Sequence, residues 1–145
     1  MRRVVFVCTG NTCRSPMAEG IFKKLLAERG VTDVEASSAG IFAMTGDAAT
    51  ENAVRAAERF GADLSGHRAR RLTEYLLDEA DLFVCMTREH AATLGLYVPP
   101  EKLTVLGDGI PDPYGGDLET YMICANRIKT ALEAQWTQLV GEAAE

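Results

Sequence analysis

The sequence predicts an α/β fold built on a four-stranded parallel sheet with helices on both faces. Short apolar runs alternate along the 145 residues with stretches in which apolar side chains recur at helical spacing, and strands that alternate with helices form parallel sheets. A polar loop also follows the first apolar run and leads into a helix, as in ligand sites at the carboxyl ends of such strands. With four strand candidates, a doubly wound, flavodoxin-like arrangement is the simplest solution.

Composition and charge narrow the class of protein. The chain is 47% hydrophobic and 25% charged, which is ordinary for a globular protein, and its length fits one domain spanning residues 1–145. The net charge of -6 leaves no basic surplus to neutralise nucleic-acid phosphates. No apolar run approaches the roughly 20 residues that span a bilayer. We therefore expect a cytoplasmic monomer that binds neither nucleic acid nor membrane.

The first strand and the first helix flank the polar loop. An uninterrupted apolar run predicts a strand at residues 4–7. Ser15 is expected to be the N-cap of the following helix and Pro16 its first residue, because a serine hydroxyl satisfies free N–H groups and proline has none to satisfy. Gly30 marks the end of this helix. Its apolar stripe consists of Met17, Ile21, Phe22, Leu25 and Leu26.

The other elements continue the alternation. The remaining strands are predicted at residues 34–38, 82–86 and 103–106. A second helix is predicted over residues 53–60, and Thr73 and Thr87 are expected to cap two short helices. Residues 107–116 are rich in Gly, Asp and Pro and therefore form a loop. From Asp117 a single last helix is predicted, with one apolar side made of Tyr121, Cys124, Ile128, Leu132, Gln135 and Leu139.

The loop after the first strand has the chemistry of an oxyanion cradle. Five residues separate Cys8 from Arg14, so one thiolate can lie beneath a tetrahedral anion while backbone N–H groups of residues 9–14 face its oxygens. The Arg14 guanidinium matches two of those oxygens. The positive end of the helix favours both the anion and the thiolate form of Cys8. A nucleotide P-loop is excluded, because Arg14-Ser15 stands where its Lys-Ser/Thr ending would be.

Several side chains of this loop are candidates for the site. Ser15 is placed to donate a hydrogen bond to the Cys8 sulfur, and Asn11 to brace the loop through its amide. The alternative is that Cys8 is only a buried residue at a strand end, which Arg14 and the strand–loop–helix context disfavour. The substrate-binding candidates of the loop are Thr9, Gly10, Asn11, Thr12, Cys13 and Ser15.

The string from Cys8 to Pro16 resembles the phosphate-binding loop of the low-molecular-weight protein tyrosine phosphatase family. The likeness covers the whole chain: residues 37–40 resemble the family's second-strand segment, residues 67–70 its middle connector and residues 112–114 its general-acid loop. It implies the phosphotyrosine protein phosphatase I-like form of the doubly wound fold. It also implies that Ser38 supports the loop.

Two positions make the likeness to bacterial protein-arginine phosphatases the closest within the family. Thr12 stands where tyrosine phosphatases usually carry a branched apolar residue, and Gly115-Gly116 stand where they usually carry a second aromatic. We expect Thr12 to make the pocket wall too polar for a phosphotyrosine ring, and Tyr114 to stack on a guanidinium. The simpler role for Thr12 is to brace the loop. Hydrolysis of phosphotyrosine therefore stays as the alternative activity.

The resemblance also implies the reaction. Asp112 protonates the leaving group and then activates water, in a two-step hydrolysis of phosphorylated proteins through a cysteinyl-phosphate that requires no metal or cofactor. Composition alone leaves Asp108 as an alternative acid, because Asp-Gly and Asp-Pro are ordinary turn sequences. His67 and His90 are expected to cap loops or to face solvent rather than to bind metal.

The cysteines raise two further alternatives. Cys13 is placed to trap an oxidised Cys8 as a reversible disulfide, or it simply packs beneath the loop. A non-catalytic phosphate-binding or redox-sensing module is therefore the rival of another class. A thiol-linked arsenate reductase is disfavoured, since Cys85 has no cysteine nearby in sequence to relay a disulfide. Cys85 and Cys124 are predicted to be core residues.

Overall fold

The structure, a computed structural model, describes residues 1–141 and contains one parallel sheet. Its strands are β1 (Arg2–Cys8), β2 (Val34–Gly40), β3 (Leu82–Cys85) and β4 (Leu103–Val105). All pairs are parallel, and the order across the sheet is β2-β1-β3-β4. The predicted α/β class and all four predicted strands are confirmed. The winding reverses beside the carboxyl end of β1, where ligands bind in doubly wound sheets.

Helices cover both faces of this sheet. They are α1 (Arg14–Glu28), α2 (Glu51–Glu58), α3 (Glu74–Glu79), α4 (Arg88–Leu94), α5 (Leu118–Ala134) and α6 (Trp136–Val140). Alternate residues of β1 point to opposite faces, as the pleat of a strand requires. Val4 and Phe6 belong to the core shared with α1, α2, α5 and α6, whereas Val5 and Val7 belong to the core shared with α4. None of the helices within residues 1–141 combines the length and apolar character needed to cross a membrane.

The start of the first helix differs from the prediction. The first helix begins at Arg14 with Cys13 as its N-cap, and no side chain caps it. Ser15, predicted as the cap, lies inside the first turn because its hydroxyl bonds to the Cys8 sulfur and the Asn11 amide instead. The predicted caps at Thr73 and Thr87 are correct, since each hydroxyl accepts a backbone N–H three residues on.

The single last helix that the sequence predicts is divided into α5 and α6. Gln135 separates them with φ -103° and ψ 15°. Its side-chain oxygen accepts a hydrogen bond from the Gly107 N–H at 2.6 Å, and its amide nitrogen donates to the Val105 carbonyl at 3.3 Å. The break therefore ties the last two helices to the exit of β4, where the loop of residues 107–116 begins.

Candidate active site

The sulfur of Cys8 lies at the carboxyl end of β1 with two donors beside it. Cys8 is buried. The backbone N–H of Asn11 donates to its Sγ at 3.2 Å, and the Ser15 Oγ lies 2.8 Å from the same sulfur. The Asn11 N–H and the Ser15 hydroxyl can therefore both donate hydrogen bonds to this sulfur. The structure thus places Ser15 where the sequence predicts it to act.

Asn11 joins the loop to its surroundings. Its φ of 56° lies in the left-handed region, which asparagine tolerates better than most residues. Its amide nitrogen donates to Ser15 Oγ at 2.8 Å and to Ser38 Oγ at 2.9 Å, and its Oδ1 accepts from the Arg70 backbone N–H at 3.0 Å. Because a backbone N–H can only donate, the orientation of the amide is fixed. Ser38 therefore contacts the loop through the Asn11 amide.

The end of β2 supports the loop from the other side. The Ile41 N–H donates to the Cys8 carbonyl and the Phe42 N–H to the Thr9 carbonyl, both at 2.9 Å. A Cβ on Gly40 would lie 2.5 Å from the Thr9 oxygen and 3.0 Å from the Asn11 nitrogen. Only glycine permits this approach, which gives a physical reason for the last residue of the 37–40 segment.

Arg14 bridges the phosphate-binding loop and the loop of residues 107–116. It is buried, and its Nη1 donates to the Ile110 carbonyl at 3.0 Å. Its Nη2 lies 3.6 Å from the Asp112 Oδ2. The buried Nε has no hydrogen-bond partner among residues 1–141. One hydrogen bond and one ion pair thus hold the guanidinium.

Asp112 is brought to the loop, and Asp108 is not. The Asp112 carboxylate is half-exposed; its Oδ1 accepts the Tyr114 backbone N–H at 3.0 Å and lies 3.9 Å from Cys13 Sγ. Asp108 lines a shallow cleft together with Glu89, and no hydrogen bond or ion pair joins it to the phosphate-binding loop within the described residues. The geometry therefore favours Asp112 over Asp108 as the proton donor.

Tyr114 and the two glycines after it form a tight turn. The Tyr114 side chain is exposed, and the Gly116 N–H donates to the Pro113 carbonyl at 2.8 Å. Gly115 has a φ of 82°, and a Cβ on Gly116 would lie 2.8 Å from the Thr120 methyl. The turn itself thus requires both glycines, so their presence carries less information about substrate than the sequence suggests.

Thr12 stays partly exposed in the loop. Its carbonyl accepts the Thr50 N–H at 2.9 Å, which joins the loop to the start of α2. A Cβ on Gly10 would lie 3.6 Å from the Thr12 hydroxyl, so this hydroxyl lies over the open side of Gly10. The backbone of Thr12 braces the loop, while its side chain remains free to contact a substrate.

Two histidines contribute contacts that the sequence analysis missed. His90 is buried, and its Nε2 lies 2.8 Å from Thr9 Oγ1 and its Nδ1 2.9 Å from Thr87 Oγ1. Of the two expected alternatives, His90 therefore does not face solvent, and its ring contacts the phosphate-binding loop. Burial, with the nearby Arg14 charge, lowers the pKa of His90. His67 Nε2 lies 2.7 Å from the Asn11 carbonyl. The sequence did offer one signal for His90: it lies three residues after the helix-capping Thr87, a spacing at which the two side chains can form a hydrogen bond.

The four cysteines are buried and free. Burial, with smaller contributions from Cys8 and Asp112, raises the pKa of Cys13 to about 11. Burial raises the pKa of both Cys85 and Cys124 to about 12. The prediction that Cys85 and Cys124 are core residues is confirmed. The disulfide between Cys8 and Cys13 stays a prediction.

A buried thiol with two donors, a fixed guanidinium and a facing carboxylate, all at the carboxyl edge of a parallel sheet, define a cysteine-dependent phosphatase. Comparison with protein-family models agrees: residues 3–144 match the model described as "Low molecular weight phosphotyrosine protein phosphatase". The chain belongs to this family of cysteine-based phosphatases, which act on phosphorylated proteins.

Relatives within the family are named either as protein-arginine or as protein-tyrosine phosphatases. The chain is 38% identical to the protein-arginine-phosphatase of Bacillus subtilis over 145 residues, which cover 94% of this chain and 95% of the relative. It is 34% identical to the low molecular weight protein-tyrosine-phosphatase Ptp of Acinetobacter johnsonii, covering 94% of this chain and 96% of the relative.

Solved structures share the fold over nearly the whole chain. A low molecular weight protein tyrosine phosphatase from T. tengcongensis superimposes with a TM-score of 0.88 and 39% identity, covering 96% of this chain and 100% of the other. The YwlE arginine phosphatase from Geobacillus stearothermophilus gives 0.84 and 31%, covering 96% and 93%. The shared fold agrees with the family assignment. It does not distinguish phosphoarginine from phosphotyrosine as the substrate, because phosphatases of both names have it.

Proposed function

We propose that this protein hydrolyses phosphoarginine in proteins through a cysteinyl-phosphate intermediate. Thr12 carries the assignment: a partly exposed hydroxyl and methyl stand in the phosphate-binding loop where tyrosine phosphatases usually carry a branched apolar side chain. The Bacillus subtilis relative named as a protein-arginine-phosphatase, at 38% identity, supports the same choice.

In the first step the Cys8 thiolate attacks phosphorus. An S–P bond forms, the P–N bond breaks, and its electron pair passes to the bridging nitrogen of the substrate guanidinium. The loop N–H groups and the Arg14 guanidinium stabilise the equatorial oxygens as charge redistributes. Arg14 needs no reorganisation for this, because the Ile110 carbonyl and Asp112 already hold it.

Asp112 handles the proton in both steps. It protonates the leaving nitrogen and later accepts a proton from the water that attacks the cysteinyl-phosphate, which returns the sulfur as a thiolate. Its half-exposed carboxylate faces the loop and can also accept hydrogen bonds from the remaining N–H groups of the guanidinium. Tyr114, exposed beside it, stacks on the planar cation.

Hydrolysis of phosphotyrosine is the second candidate, because Cys8, Arg14 and Asp112 would serve it equally. One preparation tested with matched phosphoarginine and phosphotyrosine peptides separates the two. We expect kcat/KM to favour the phosphoarginine peptide. The opposite preference would replace the proposal by tyrosine specificity.

A Thr12→Ile variant tests the residue that carries the choice. We expect it to lose phosphoarginine turnover and to gain phosphotyrosine turnover, about 10-fold each, since the hydroxyl is replaced by an ethyl group and even one methylene in a pocket wall is worth about 1–3 kcal/mol. Thr32→Ile, the same change at an exposed position before β2, is the control and leaves both rates unchanged. Equal effects of Thr12→Ile on the two peptides would contradict the role of Thr12.

A further inference from the structure

An apolar groove lies beside the phosphate-binding loop, between the segment that follows β2 and the helices α3 and α4. Phe42 and Tyr97 line it, and each is 69% exposed. The less exposed residues that line this Phe42–Tyr97 groove are Ile41, Leu72, Leu77 and Leu94. The groove has a volume of about 340 Å³, and none of the described residues that line it carries a charge. It therefore suits an apolar side chain.

The apolar exposure at this groove is typical of a binding surface. Leu96, next to Tyr97 in the chain, is also exposed. Contiguous exposed apolar patches are uncommon on soluble proteins and mark sites of interaction, and aromatic residues are enriched where partners bind. The base of the groove is fixed, because Ile41, Leu72 and Leu77 pack against the buried core shared with α4. The groove is therefore formed before any partner arrives.

The groove adjoins the phosphate-binding loop at Thr9, the residue after Cys8. The Phe42 backbone N–H donates to the Thr9 carbonyl at 2.9 Å. On the other side of Thr9, its Oγ1 lies 2.8 Å from the Nε2 of His90 on α4. Leu94 follows His90 by four residues, so the two side chains lie on the same face of that helix. Both boundaries of the groove are thus joined to the loop that holds the phosphoryl group.

We propose that the Phe42–Tyr97 groove binds an apolar side chain of the protein substrate, two to four residues away from the phosphorylated residue. This inference rests on the proposed function only in taking the phosphate-binding loop as the place where phosphorylated proteins react. An extended chain advances about 3.3 Å per residue, so such a side chain lies roughly 7–13 Å along the substrate from the reacting residue. The groove thereby adds a second point of recognition to the pocket for the phosphorylated side chain.

The size of the groove favours a substrate segment over a second copy of this chain. A stable interface between proteins involves about 20–30 residues on each side, whereas seven residues line the groove. One apolar side chain of an extended peptide needs no larger surface. The position of the groove beside Thr9 also lets it contact a chain whose phosphorylated residue occupies the active site.

The experiment compares pairs of phosphopeptides that differ at one flanking position. That position, two to four residues before or after the phosphorylated residue, holds leucine in one peptide and asparagine in the other, and every other flanking residue is serine or glycine. Each pair is made with phosphoarginine and with phosphotyrosine. At the position that reaches the groove, we expect the kcat/KM of the parent to be about 5- to 30-fold higher for the leucine peptide, mainly through KM, because part of an apolar side chain leaves water.

Two variants of the groove test whether it is the source of this preference. Tyr97→Ser removes an exposed ring, and Thr93→Asp places a charge among the residues that line the groove. Each should lower the ratio of the two kcat/KM values at least about 3-fold, because less apolar surface, or a charge, faces the leucine. The ratio within one protein cancels any general effect on turnover. Tyr75→Ser is the matched control, since Tyr75 is exposed on α3 and lines a different cleft; it keeps the parent ratio.

Equal kcat/KM values for leucine and asparagine at every position overturn the inference, and so does a preference that both groove variants retain. Sedimentation of the parent and of Tyr97→Ser at the assay concentration identifies the other occupant: a parent dimer that this substitution dissociates would make the groove an interface between copies and also overturn the inference. Failure of the proposed function is a separate result. If the parent favours the phosphotyrosine series, phosphoarginine specificity is lost, and the leucine-to-asparagine ratio within that series still decides the role of the groove.

Discussion

Asp112 and Asp108 lie in the same loop, and Asp112 is the one paired with Arg14. We expect Asp112→Asn to lower kcat for a phosphopeptide by about 10²- to 10⁴-fold, the usual range for loss of a general acid. The loss should be smaller for p-nitrophenyl phosphate, whose leaving group needs less protonation. Steady-state kinetics on both substrates measure the difference.

Asp108→Asn is the matched control, since it makes the same change four residues earlier. Its rates should stay within about 2-fold of the parent, because a surface change in an exposed loop has little effect. If Asp112→Asn slowed both substrates equally, Asp112 would be holding Arg14 in place rather than transferring a proton.

The sequence predicts the parts of the site that lie close together along the chain better than the contacts between residues that are far apart in sequence. Spacing alone predicts Cys8 and Arg14, because the two ends of one loop are placed to contact the same anion. Asp112 needed the resemblance, since an Asp-Pro dipeptide is common in turns. The bond from His90 to Thr9 could not be predicted, because it spans 81 positions, although the contact of His90 with Thr87 is local.

At the level of the strands, the end of β2 is packed directly on the phosphate-binding loop. Gly40→Ala places a methyl group 2.5 Å from the Thr9 carbonyl oxygen and 2.9 Å from the Ala43 side chain. Because backbone atoms must move, we expect a loss of about 1–3 kcal/mol in the free energy of unfolding, together with lower kcat. Urea unfolding and phosphatase assays measure the two effects.

Gly66→Ala serves as its control. A Cβ at Gly66 meets no atom within 4 Å, and its φ is not in the left-handed region. Its stability should equal or slightly exceed that of the parent, because alanine restricts the unfolded chain. Equal stability of both variants would mean that the loop can retreat from β2 without cost.

The helices and strands show which predictions local chemistry supports. The caps at Thr73 and Thr87 were predictable, since a cap and its N–H partner are three residues apart. Ser15 has equal capping ability but is bonded to Cys8 and Asn11 instead. The break at Gln135 depends on the Gly107 N–H, 28 residues away. Element type was therefore readable from periodicity, and boundaries were decided by tertiary contacts.

Across the whole molecule, the site joins segments that are distant in sequence. Cys8 and Arg14 come from the two ends of the first loop, Ser38 from β2, His90 from α4 and Asp112 from the loop after β4. The parallel order β2-β1-β3-β4 brings the carboxyl ends of these strands to one edge. These segments thus contribute to one site. Because they also hold the fold together, protonation of a residue in the site changes the stability of the protein as well as its activity.

His90 gives that link a measurable pH dependence. Burial, together with the Arg14 charge, lowers its pKa from the ordinary 6.5, although Glu89 and Asp112 act in the opposite direction. Between the folded and unfolded pKa values the unfolded chain binds more protons at this residue, so stability rises with pH there. The contribution of neutral His90 is therefore fully present above about pH 6.5 and is lost as the pH falls below it.

We expect His90→Gln, which keeps a donor for Thr9 but does not titrate, to lose less stability than the parent between pH 7.5 and 5.5. Urea unfolding at several pH values measures the free energy of each protein, and taking the difference cancels the carboxylates that titrate in both. At pH 7.5 the variant is the less stable, because the glutamine lacks the ring that fills the site and contacts Thr87. The two curves therefore converge on acidification. Parallel curves would show that His90 takes up its proton in the folded protein as easily as in the unfolded chain.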